Sequence, residues 1–203
     1  MRSLARAALL PAVALLLATG PLAAEPASSV YTSTAPKVCR TLSAGGAEED
    51  GGSRLCPGKA GLVVVIAEGD LREVVSVGRN RRDAEAQPAA TAWFGPFSST
   101  TETIEWRLDG AAKPVAIIQR WHLADNDDPE KDGRPKTKQL LVVTRLPPGA
   151  VCHVAYVDVV ANPEPNAIAR QAADEIARDF RCGQDKVRVV GQRGRATALA
   201  GAR

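Results

Sequence analysis

The chain has few aromatic residues, eight in all, and only two histidines and one methionine among 203 residues. Two histidines are too few for a histidine-based metal site built on the usual ligand spacing, and no CxxC or HxxxH pair supplies a zinc alternative. Beyond the first two dozen residues no apolar run reaches the roughly 18 residues that a membrane-spanning helix needs. A large excess of one charge is also missing. The formal +3 comes from the two ends, because Arg2 and Arg6 lie in the leader and residues 184–203 contribute a net +4. The stretch 25–183 is about −3, a balance that does not call for nucleic acid as a partner.

What is present starts with the first 24 residues. Arg2 and Arg6 precede an apolar stretch, Ala7 to Ala18, which is followed by Gly20-Pro21 and the small residues of Leu22-Ala23-Ala24. Charge, length and small-residue exit together describe a secretory leader cut after Ala24. A membrane anchor is the rival reading, and Pro11 in mid-stretch argues against it. No cysteine stands near the cut for lipid attachment, and no Arg-Arg pair marks twin-arginine export. The expected location is the periplasm or the medium, with no transmembrane segment left after cleavage.

The four cysteines, Cys39, Cys56, Cys152 and Cys182, suit that oxidising destination. Three pairings are possible. Cys39–Cys56 and Cys152–Cys182 are expected, since the first pair brackets a hydrophilic loop and the second a strand–helix unit.

Residues 25–36, rich in Ser, Thr and Pro, are expected to be a flexible lead-in, and residues 37–183 a single α+β domain. Residues 62–67 (LVVVIA) and 71–78 (LREVVSVG) read as strands, with EGD as the turn between them, and 79–90 reads as a charged surface loop. In Thr103 to Asp109, Ile104, Trp106 and Leu108 alternate with Glu105 and Arg107, which predicts a strand with one dry and one wet face. Residues 115–123, 139–146 and 151–160 continue as strands, the last two apolar on both faces. Asn162-Pro163 is an N-cap candidate for a helix carrying Ile168, Ala172, Ile176 and Phe180, with Gly183 as its stop. The sum is a mostly antiparallel β meander with one C-terminal helix packed on it. Residues 184–203 are expected to be a basic mobile tail.

LCPG at 55–58, EGDLR at 68–72, FGPF at 94–97, IEWRL at 104–108 and CHVAYVDVVANPEPNAIARQAADEIA at 152–177 carry a resemblance. The chain resembles a family of uncharacterised exported bacterial proteins over most of residues 31–183. The resemblance implies export, one compact domain and the four cysteines as its framework. It implies no activity and no catalytic residues.

The enzymatic constellations are each broken. Gly51-Gly52-Ser53-Arg54-Leu55 lacks the closing glycine of a nucleophile elbow. His153 sits on a strand that is apolar on both faces and reads as a hydrogen-bonded core residue, while His122 lies near a strand end. His153 and Asp158, five residues apart on one strand, should point to opposite faces and so cannot pair. Asp128, Glu130, Asp132 and Gly133 imitate half a calcium loop, but Gln139 occupies the place of the bidentate glutamate. Arg79, Arg81 and Arg82 form a basic cluster with Asp83 and Glu85 beside it, which reads as a solvated loop. No catalytic residue, metal site or cofactor is expected. The one group of interest is Trp93, Phe94 and Phe97, three of the eight aromatics in a loop kinked by Gly95-Pro96; it reads either as a lid on the core or as a recognition surface. The expected role is a non-catalytic domain that binds a periplasmic protein or an envelope component. A small hydrolase with a dispersed site and a structural envelope protein are the alternatives.

Overall fold

The computed structural model describes residues 27–44 and 51–201. The leader assigned to residues 1–24 lies outside the described residues. Ten strands run β1 (Ser28–Ser33), β2 (Arg40–Ser43), β3 (Ser53–Pro57), β4 (Val63–Gly69), β5 (Arg72–Gly78), β6 (Ser98–Leu108), β7 (Pro114–Pro129), β8 (Pro135–Arg145), β9 (His153–Asp158) and β10 (Arg188–Val189). Three helices join them: α1 (Arg81–Glu85), α2 (Pro165–Ile176) and α3 (Arg195–Leu199).

The strands form one continuous sheet in the order β10-β9-β8-β7-β6-β5-β4-β3-β2, with β1 added beside β6. It is mixed, which corrects the expectation of an antiparallel meander. Two connections that contain helices carry the chain across rather than back. The segment 79–97, with α1, brings β6 in parallel to β5 at Arg72 and Ser98. The segment after β9, with α2, brings β10 in parallel to β9. The expectation of a single, C-terminal helix is corrected with it. Asn80 caps α1 by accepting from Asp83 N–H at 3.0 Å, and the helix sits on β5, where Ser76 Oγ donates to Ala84 O at 2.7 Å.

Two cores result. The larger fills the space between β4–β5 and β6–β9 with Val64, Ile66, Val75, Val77, Phe94, Ile104, Trp106, Trp121, Leu123 and Leu140, among others. The smaller lies under α2, where Ala169, Ala172, Ala173 and Ile176 meet Ala116, Ile118, Leu141, Val143, Ala155 and Val157. The alternation along β6 is as expected on the dry side, but the opposite face is not wet. Glu105 and Arg107 are 8% and 7% exposed because α2 covers them. Arg107 donates to both oxygens of Asp174 at 3.0 and 2.6 Å, and Arg170 donates to Glu105 at 2.6 Å. Buried charge is tolerated there because each group is paired and further hydrogen-bonded.

Helix α2 begins later than the Asn162-Pro163 signal suggests, with Glu164 as its cap residue and Pro165 in the first turn, and it ends before Gly183. Asn162 does other work. It is buried, donates to Asp158 O and Gln192 O, and accepts from Gln192 N–H.

Both chain segments read as mobile carry structure. The lead-in forms β1, antiparallel to β6 from Ser28–Leu108 to Ser33–Thr103. Its hydroxyls are partners for charged and aromatic groups: Ser29 Oγ accepts from Arg107 at 2.7 Å, and Thr32 Oγ1 accepts from Trp106 Nε1 at 2.8 Å. The tail folds back as β10 and α3. Asp158 receives the α3 end, its Oδ2 accepting from Ala196 N–H at 2.8 Å, and Arg195 donates to Asp125 and Asp127.

The disulfides are Cys39–Cys56 and Cys152–Cys182. On the chain-entropy model, loops of 17 and 30 residues stabilise the fold by about 3 to 4 kcal/mol each. The first ties the segment before β2 to β3 at the sheet edge, and the second joins the residue just before β9 to the segment that follows α2.

Candidate functional site

The loop between α1 and β6 is anchored from within. Phe94, 3% exposed, meets Trp121 edge-on at a centroid distance of 5.0 Å, with His153 and Tyr156 at 5.8 and 5.6 Å. Backbone bonds hold the flanks: Ala89 N–H to Val151 O at 3.0 Å, Ser98 N–H to Leu71 O at 3.0 Å, and Ala124 N–H to Phe97 O at 2.9 Å. Arg72 closes the bend by donating Nε and Nη2 to Gly95 O at 3.0 and 2.9 Å.

With Phe94 committed to the core, Trp93 and Phe97 are left outside, 46% and 41% exposed. The Trp93 indole lies across Gly69, where an added Cβ would meet it at 3.4 Å. The Phe97 ring carries the Arg72 guanidinium 5.0 Å from its centroid, a cation–π contact. The three aromatics therefore split between the lid and the surface.

The turn between β4 and β5 adds a residue that the sequence reading treats only as the start of a strand. Asp70 and Leu71 have φ of 49° and 56°, so this is a two-residue hairpin turn with both central residues left-handed. Glycine and asparagine suit such positions, whereas leucine costs roughly 1–2 kcal/mol there. Leu71 is nonetheless 62% exposed, and its carbonyl accepts from Ser98 N–H, the residue after Phe97. Leucine in a turn of this kind is the signal that could have flagged it.

Comparison with protein-family models, curated proteins and solved structures finds no match.

The histidines are placed otherwise than the strand parity suggests. A bulge at Val154, between the Val143–Ala155 and Thr144–His153 pairs, turns His153 onto the same face as Tyr156 and Asp158. The parity argument against a His153–Asp158 pair therefore fails, because one extra residue shifts the alternation. The two are kept apart by their partners instead. His153 Nδ1 lies 3.0 Å from the Tyr156 hydroxyl, and Asp158 Oδ1 accepts from Val160 and Ala161 N–H. Burial without a charge partner pulls the His153 imidazole down to about 4 and pushes the Tyr156 phenol up. His122 is also lowered, by partial burial and then by Arg120.

The acidic segment is the tip of the β7–β8 hairpin, and two of its carboxylates, Asp128 and Asp132, are held by cations. Asp128 is paired with Lys136 at 2.8 Å and with Lys138, which depress it to about 2, and Asp132 is paired with Arg134 at 2.8 Å. Among the described residues, no group of three or more His, Cys, Asp or Glu is placed to hold a metal ion. In the basic cluster, Arg79 pairs with Asp83 at 3.0 Å and Arg81 with Glu85 at 2.7 Å, along α1. Among the described residues, no helix is long and apolar enough to cross a membrane.

Proposed function

We propose that this is an exported, non-catalytic domain that binds another protein of the cell envelope through Leu71, Trp93 and Phe97. The observation that carries the reading is the anchored loop: Phe94 is locked into the core while its two aromatic neighbours face solvent beside an exposed leucine in a left-handed turn. Rigid, amphipathic rings held in place before contact lose little entropy on binding, which is what makes such residues effective anchors. The leucine points the same way, since a strained apolar residue at a surface turn is kept at a cost to the free domain. Export rests on the leader pattern, on the two disulfides and on the resemblance to an exported family. The histidines favour binding over hydrolysis, as His153 is neutral and enclosed by Phe94, Trp121 and Tyr156.

The test is capture from periplasmic extract with the mature chain as bait. Trp93→Ala plus Phe97→Ala should abolish recovery of the partner. Leu71→Asn, whose side chain suits the left-handed turn, should weaken recovery without disturbing the fold. Equal recovery by wild type and both variants would remove this surface from consideration.

A further inference from the structure

The far end of the β4–β5 hairpin, away from the aromatic patch, carries a second site. There the β3–β4, β6–β7 and β8–β9 turns and the start of α1 meet around a cavity of about 490 Å³. A second cavity of about 270 Å³ shares Lys113, Pro147 and Pro148 with the first. Leu62, Pro114 and the two prolines give the pair an apolar wall.

The charges lining these cavities do not cancel. Asp83 is taken by Arg79 at 3.0 Å, and Asp109 by Arg178 at 3.3 Å and by the backbone N–H groups of Ala111 and Lys113. Arg145 donates only to carbonyls, Ala177 O at 3.1 Å and Pro148 O at 2.8 Å. Among the described residues, no carboxylate lies within ion-pair distance of Lys113 Nζ or of Arg145. Two cations thus remain without a carboxylate at ion-pair distance on adjoining cavities, and one of them, Lys113, which is common to both, is felt by Asp109 only at longer range.

We propose that this end binds a short, extended acidic peptide segment. A carboxylate of that segment would meet Lys113, and a neighbouring apolar side chain would pack on the Pro147–Pro148 ridge. Charge complementarity selects the acid. The pair of cavities either side of a ridge selects an extended chain, whose side chains leave in alternate directions. The site does not depend on the aromatic patch and is tested separately from it.

The probe is a fluorescein-labelled peptide of alternating leucine and glutamate, titrated against the exported chain and followed by anisotropy. Saturable binding is expected, with at least tenfold loss in Lys113→Glu, retention in Lys113→Arg, and weakening as salt rises. Lys113 forms no side-chain ion pair, so Lys113→Glu should keep the wild-type circular dichroism. Trp93→Ala plus Phe97→Ala should bind the peptide as wild type does. The proposal is overturned if the glutamine version of the peptide binds equally, if Lys113→Glu binds undiminished, or if inorganic polyphosphate competes as well as the unlabelled peptide, which would mark a general polyanion surface.

Discussion

The two faces of the β7–β8 hairpin are packed on different principles. Toward β4 and β5, Trp121, Leu123, Leu140 and Val142 fill a wide gap with volume, and Phe94 closes it. Toward α2, Ala116, Leu141 and Val143 meet a helix face made of Ala169, Ala172 and Ala173, so the backbones approach closely. One core is sensitive to lost atoms and the other to added ones. The sharpest break of that contrast is Trp121→Ala. It removes a fully buried indole and the edge-on partner of Phe94, and should cost about 3–5 kcal/mol in urea unfolding. Because Phe94 anchors the aromatic loop, the same variant should raise hydrogen exchange at residues 93–97. A loss under 1 kcal/mol would show that the gap collapses on truncation.

The core that faces β4 and β5 also holds the buried titratable ring, and pH separates it from the ion-paired carboxylates. His153 sits at about 4 in the folded state against an ordinary 6.5, so the unfolded chain binds the proton first. Its contribution is therefore complete above about pH 6.5 and is lost as pH falls from there toward 4, at about 1.4 kcal/mol per pH unit and about 3 kcal/mol in all. Asp125 and Asp128 are depressed by Arg195 and by Lys136 with Lys138, so their contribution is present above the ordinary carboxylate value and is lost only at lower pH. Denaturant melts from pH 7 to 4 should thus show a slope that His153→Phe removes in large part. The smaller share that remains belongs to His122, which is also lowered, and below about pH 5 to the depressed carboxylates. An unchanged slope in His153→Phe would show that the ring is protonated in the folded state.

The strands of the two cores were legible because β6 shows hydrophobic alternation and the others are short β-branched apolar runs, and both signals survive in a single sequence. The cysteine pairs were legible for a similar reason, since each brackets one local unit. The chain ends were not, and particular residues show why. Ser29 and Thr32 look like linker composition, yet they are hydrogen-bond partners for Arg107 and Trp106 across β6. The sequence hint was Val30-Tyr31-Thr32, three good strand formers in a row. The tail reads as mobile because of its glycines, but two of these are there for close approach. A Cβ on Gly194 would collide with the Asp158 carboxylate, and one on Gly191, where φ is +79°, with the Asn162 amide. Strand parity failed at Val154 because a bulge leaves no mark in a run that is apolar throughout. In the candidate site, the group Trp93, Phe94 and Phe97 was visible as a composition anomaly. Its division into one anchor and two exposed rings depends on tertiary contacts, and so does the company of Leu71.

The gentlest probe of the contrast is an addition rather than a deletion. Ala172, 1% exposed, lies on the buried face of α2, where the alanines set how closely the helix rests on the sheet. Leucine has comparable helix propensity, so Ala172→Leu changes little locally and acts through crowding. It should cost about 1–3 kcal/mol by urea unfolding, less than Trp121→Ala, because the helix can shift outward by a fraction of an ångström before its side chains strain. That shift would load the Arg107–Asp174 and Arg170–Glu105 pairs, which span the same helix and β6. A neutral or stabilising effect would mean that the space under α2 is not filled by close backbone approach, and the distinction between the two faces would fail.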